Sequence, residues 1–129
     1  MLEKVENSIS KTVVTRNLGE LLKSNDAIYA VLLSSIDGHS LAKEAKSELA
    51  DSKLSAMTSS CLALGEKIAQ EANQKGCDFV IIQNQDGYLV LKRVGRKLVL
   101  TTLADKSINL GMLLSATRSA AESLYAEIN

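Results

Sequence analysis

The spacing of apolar residues changes period several times along the chain. From about residue 3 to 24, Val5, Ile9, Val13, Leu18, Leu21 and Leu22 recur at helix-like intervals that slip around Thr12 to Thr15, so a first helix is predicted with a break there. AIYAVLLSS, residues 27 to 35, is short, apolar and bounded by Asn25-Asp26 and Asp37-Gly38, which reads as a buried strand. Asp37-Gly38 is then a tight turn, and Ser40 to Ala45 returns antiparallel to that strand. From Asp51 or Ser52, either of which can cap a helix, to Lys75 the residues Leu54, Met57, Cys61, Leu64 and Ile68 follow one another at spacings of three, four, three and four. This is the clearest helix in the chain, with Gly76 placed where a C-terminal cap would sit. Asp78 to Asn84, Tyr88 to Val94 and Lys97 to Leu103 read as a three-strand meander turning at Asp86-Gly87 and Gly95-Arg96. A last helix, about Ser107 to Glu127, carries Leu110, Leu113, Leu114, Thr117, Ala121, Leu124 and Ile128 on one broad face, with Asp105 or Ser107 as its cap. The order is helix, two strands, helix, three strands, helix, which defines an α+β domain with a five-stranded antiparallel sheet between helices. Val80, Ile81 and Ile82 run continuously apolar, as expected of a strand covered on both faces.

With 129 residues, no proline, no internal repeat and no low-complexity linker, the chain is expected to form one domain, residues 1–129. Fifteen basic residues balance fifteen acidic ones, so no overall field favours a nucleic acid or an anionic membrane. One phenylalanine and three tyrosines are too few for a base-stacking platform. No apolar run approaches the roughly 20 residues needed to cross a bilayer, and MLEKVENSIS lacks the apolar core of a secretory signal. A cytoplasmic protein with two reduced, buried cysteines, Cys61 and Cys77, is therefore expected, without membrane insertion.

Candidate chemistry narrows the picture mostly by exclusion. SSIDGHSLA, residues 34 to 42, holds the only histidine beside an aspartate and a serine, but catalytic side chains converge from separate parts of a fold, and Asp37-Gly38-His39 reads as a hairpin loop. The only Gly-Glu-Lys, residues 65 to 67, lacks the other elements of a phosphate-binding loop. No carboxylate cluster suggests a metal site, so no catalytic residue, metal or cofactor is expected. Lys92, Arg93, Arg96 and Lys97 form a basic hairpin tip, which reads first as a solvated turn and second as a surface for an acidic partner. Arg118 reads as an ordinary surface arginine.

The element order, with the Asp-Gly-x-x-Leu-Ala segment at 37 to 42, QNQDGYLVLKRVGRKLVLTTLAD as the meander and Asn-Leu-Gly at 109 to 111 opening the last helix, resembles the roadblock family over nearly the whole chain. That family includes dynein-associated light chains and prokaryotic regulators of Ras-like GTPases of the MglB type. The prokaryotic branch is the expected one. The resemblance implies a profilin-like architecture and a non-enzymatic homodimer that binds a small Ras-like GTPase and modulates its nucleotide cycle. It implies that the middle helix packs beside its symmetry mate and that the third strand pairs edge to edge across two chains. Alternatives are a structural subunit of a larger roadblock or longin-type assembly, or a small-ligand-binding domain. On this reading the Leu54 to Ile68 stripe can cover the sheet while Ser55, Ala56, Ser59, Ser60, Ala63 and Gly65 allow close approach of a partner helix. Which face meets the sheet is open at this stage. The interface residues expected are Met57, Ser60, Cys61 and Leu64 on the helix, with Phe79 and Ile81 on the strand edge.

Overall fold

The computed structural model describes residues 11–128. Their elements run α1 (Lys11–Lys23), β1 (Ile28–Ser35), β2 (Ser40–Ala45), α2 (Asp51–Glu71), β3 (Val80–Gln83), β4 (Gly87–Val94), β5 (Leu98–Asp105) and α3 (Leu110–Ile128). This is the expected α-β-β-α-β-β-β-α order. All pairings are antiparallel, and the sheet order is β2-β1-β5-β4-β3. The N-terminal part of the first expected helix, residues 3–10, lies outside the described residues; from Lys11 onward α1 is continuous through Thr12 to Thr15, without the expected break.

The sheet is covered unequally on its two faces. Register places Val31, Thr102, Val90 and Ile81 in one lateral row, and Leu32, Thr101, Leu91 and Val80 in the row that faces the other way. The first row faces α1 and α3, where the Thr117 hydroxyl lies 3.1 Å from that of Thr102. Here Val14, Leu18 and Leu21 of α1 and Leu113, Ala121 and Leu124 of α3 close an apolar core over Ile28, Val31, Leu33, Val90, Leu98 and Leu100. Arg16 reaches both carboxylate oxygens of Glu127 at 3.0 Å, and Asn17 donates to the same group, so the start of α1 is tied to the end of α3. The second row faces α2. Central strands β1 and β5 are buried almost throughout, as their unbroken apolar runs require.

Several boundaries differ from the sequence expectation for local reasons. No side chain caps α2: its N-cap is Ala50, and Asp51 stands inside the first turn. The helix ends at Glu71, five residues before Gly76, because Asn73 adopts a left-handed φ of 59° and the Gln74 amide bonds back to Ala69. Neither Asp105 nor Ser107 caps α3. Asn109 does, its Oδ1 accepting the Met112 amide, while Asp105 accepts the Ser107 amide. The β4–β5 connection spans residues 95 to 97, since Val94 pairs with Leu98. Lys97 is therefore loop rather than strand. β3 is only four residues long and lies at the sheet edge, so Ile81 is 42 % exposed and the expectation of a strand covered on both faces fails.

Candidate functional site

The outer surface of α2 and the free edge of β3 are the sites that the sequence brought into question. α2 lies obliquely across the sheet, from β2 to β3. At its start the Asp51 carboxylate accepts the Ser40 hydroxyl at 2.8 Å and the Lys43 ammonium at 3.2 Å, and those bonds hold it below the usual carboxylate range. Next, Gly38 sits against the helix with φ +96°, and a β-carbon there would lie 3.1 Å from the Ala56 Cα. One turn on, the buried Ser59 hydroxyl donates to the Ser35 carbonyl at 2.8 Å. Near the C-terminal end Glu66 accepts the Cys77 amide at 2.7 Å and lies 3.7 Å from Arg93.

The helix face turned to the sheet, left open by the sequence, is the one with small side chains. Ser55, Thr58, Ser59, Leu62 and Ala69 are buried, whereas Met57, Leu64 and Ile68 are exposed by 62, 58 and 59 %. On the sheet side Leu32, Leu91 and Leu103 lie buried beneath α2 among the smaller Ala30, Ser34 and Thr101, and the small side chains of the helix let it come close enough for Ser59 to bond a strand carbonyl. Hydroxyls bury well here when their bonds return to the backbone, as Thr58 does to the Leu54 carbonyl at 2.8 Å. The apolar stripe is left facing outward.

Of the interface residues expected from sequence, Met57, Ser60 and Leu64 lie on that outer surface and Cys61 is half-buried at its flank. Ile68 extends the same stripe by one turn; the three-four spacing already contained it. Ile81 is exposed on β3, the edge strand, in the row on the α1 and α3 side of the sheet. Phe79 precedes β3, and its ring is occupied within the chain: the Lys92 ammonium lies 4.9 Å and the Arg118 guanidinium 4.8 Å from its centroid. Asp78 holds both cations, Lys92 at 2.8 Å and Arg118 at 2.9 Å. The Arg118 hydrogen bond first, then that of Lys92, lowers the Asp78 pKa. Arg118 is thus a bridge between α3 and the entry to β3, more than the ordinary surface arginine expected. Lys92 and Arg93 are likewise no hairpin tip: as neighbours on a strand they point to opposite faces, one to Asp78 and the other to Glu66.

His39 is exposed, and Ser40 directs its hydroxyl to Asp51, so the SSIDGHSLA residues do not assemble a triad. Among the described residues no three His, Cys, Asp or Glu side chains gather to hold a metal ion. A groove of about 290 Å³ lies between the β4–β5 loop and the end of α3, lined by Val94, Leu98, Tyr125 and Ile128 with Arg96 at its rim. No helix among the described residues is long and apolar enough to cross a membrane.

A five-stranded antiparallel sheet with two helices on one face, a single helix on the other and a free β3 edge defines the class of domain. The family model for the Roadblock/LC7 domain matches residues 14–104, and the chain belongs to that family. Among solved structures, Myxococcus xanthus MglB is similar with a TM-score of 0.82 at 18 % identity, covering 89 % of this chain and 86 % of that one. The gliding protein MglB of Thermus thermophilus gives 0.82 at 18 % identity over 91 % of this chain and 89 % of that chain. A Roadblock/LC7 domain from Streptomyces avermitilis gives 0.80 at 15 % identity, over 86 and 93 %. These matched domains are bacterial, in keeping with the prokaryotic branch expected from sequence. No curated protein matches the chain in sequence.

Proposed function

We propose that the chain is a non-enzymatic, cytoplasmic, single-domain adaptor that forms a homodimer through α2 and β3 and presents the paired helices to a small Ras-like GTPase. The observation that carries this reading is the outward stripe of Met57, Leu64 and Ile68 on a helix whose small side chains already satisfy the sheet. A solvent-facing helix gains nothing from three such residues, whereas a partner helix laid along the stripe would bury them. The free β3 edge, with Ile81 exposed, lies next to the C-terminal part of α2 and supplies unpaired backbone groups for a second strand. The likeness to MglB structures supports a regulatory partner of GTPases. Docking on the paired helices would favour one switch conformation of the GTPase and act by population shift.

The first experiment is light scattering over a dilution series on the wild type and a Leu64→Glu variant. Leu64 is 58 % exposed, so the variant should keep its fold, read by circular dichroism, while its mass falls from twice 13.9 kDa to the monomer value. A wild type that stays monomeric at all concentrations sinks the homodimer and leaves a subunit of a mixed roadblock or longin-type assembly. Release of a fluorescent guanine nucleotide from a candidate GTPase, with wild type against Leu64→Glu, then tests the regulatory step.

A further inference from the structure

Cys77 packs against α2 at Gly65, one helical turn from Cys61. A β-carbon built on Gly65 would lie 3.0 Å from the Cys77 sulfur and 3.0 Å from Val80 Cγ2, so the sulfur occupies the space a Gly65 side chain would take. Side chains of a helix lean over the turn N-terminal to their own Cα, and the residue one turn before Gly65 is Cys61. Side chains four apart lie about 6 Å from each other at Cβ, which sets the Cys77 sulfur beside the Cys61 turn. Both cysteines are free and half-buried. The segment carrying Cys77 joins the ladder only at Val80, so a small shift of Cys77 costs no strand pairing; it is held instead by Glu66 at its amide and by the Phe79 carbonyl, 3.4 Å from its sulfur.

We propose that Cys61 and Cys77 form a reversible disulfide within one protomer, closed by exchange with a low-molecular-weight disulfide such as glutathione disulfide. Burial, then the charges of Glu66 and Asp78, push the Cys77 thiol up, which suits it to the second, resolving step of the exchange. The Cys61 thiolate attacks one sulfur of glutathione disulfide, forming a mixed disulfide and expelling one glutathione thiolate. Cys77 then gives its proton to solvent base, attacks the Cys61 sulfur and expels the second glutathione. Two protein thiols are oxidised to one disulfide, glutathione disulfide is reduced to two glutathiones, and the two protons end on those thiols. The bond fastens α2 to the start of β3, the two elements of the docking surface. Both sulfurs belong to one chain, so the bond itself needs no second copy, while a dimer through α2 would slow the approach of glutathione disulfide to Cys61 without preventing closure in the monomer.

The test incubates the reduced full-length protein with glutathione disulfide, blocks remaining thiols with iodoacetamide and reads the denatured intact mass, with peptide mapping under non-reducing conditions. The expected result is a monomer mass lower by two hydrogens, no alkylation, a Cys61–Cys77 peptide pair, reversal by dithiothreitol and a thermal midpoint raised by several degrees. Cys61→Ser and Cys77→Ser should each lose the cross-link and leave the remaining thiol free or carrying glutathione. A wild type that carries two glutathiones, alkylates at both cysteines, or cross-links only between chains overturns the proposal. Light scattering on the same samples separates that failure from a failure of the dimer.

Discussion

The two faces of one sheet are built on opposite terms. Beneath α1 and α3 large aliphatic side chains meet large aliphatic side chains, and Leu18, Leu100, Leu113 and Leu124 have no exposed surface. On the other face the sheet still offers Leu32, Leu91 and Leu103, but α2 answers with Ser55, Thr58, Ser59 and Ala69 around one large residue, Leu62. The α2 side also holds the Ser34, Ser55 and Thr101 hydroxyls, buried with no hydrogen-bond partner among the described residues. The first face is finished within the chain. The second attaches its helix by close approach and a few hydrogen bonds, and turns the large apolar residues of that helix outward. Burial that would ordinarily stabilise the monomer is thereby left available for association.

Adjacent residues of β5 sample both faces and give the largest contrast. Leu100 points to α1 and α3, and Leu100→Ala should cost about 3 kcal/mol by urea denaturation, from lost transfer energy and the cavity left behind. Thr101 points to α2 with its hydroxyl unpartnered, so Thr101→Val, nearly the same shape, should leave stability unchanged or raise it by up to about 1 kcal/mol. A Thr101→Val variant that loses as much as Leu100→Ala would break the comparison, for the hydroxyl would then be satisfied in solution. Leu64→Glu extends the contrast to the outer surface, where association and not folding should be what changes.

Most of the fold was legible because each element announces itself locally. The unbroken apolar run of Ala30 to Leu33, the Asp-Gly turns and the four-three-four spacing of the middle helix all gave the right element in the right order. The orientation of α2 was not legible. Periodicity shows that Met57, Cys61, Leu64 and Ile68 share a face, but a face covered by a sheet and one awaiting a partner have the same apolar composition. The deciding fact is the close approach of the Ser55, Thr58 and Ser59 face to β1, where Ser59 bonds the Ser35 carbonyl, and that contact exists only in three dimensions. The edge position of β3 came only with the family resemblance, since VII by itself is equally at home at a centre or an edge. Arg118 and Phe79 were opaque because Asp78, which joins them, lies 40 residues away from Arg118 in the chain.

Ion pairs at the two rims give the smallest expected effect and a way to sharpen the comparison. Asp51 fastens α2 to β2, and Asp78 fastens α3 and β4 to the approach of β3; both pKa values are lowered in the folded protein. For a lowered carboxylate the unfolded chain binds the proton more readily, so stability rises with pH between the folded and unfolded pKa values. The contribution is complete above the ordinary aspartate value of about 3.9 and disappears as pH falls through the lower folded value. The Asp78 carboxylate is 60 % exposed, so its share should stay below about 1 kcal/mol. Urea midpoints of the wild type and Asp78→Asn should therefore differ at pH 7 and converge in strong acid, and Asp51→Asn should converge with the same sign. A gap for Asp78→Asn that persists unchanged into acid would mean that Asp78 acts by packing against its neighbours and not by charge. The α3 rim would then be held, like the core beneath it, without electrostatics.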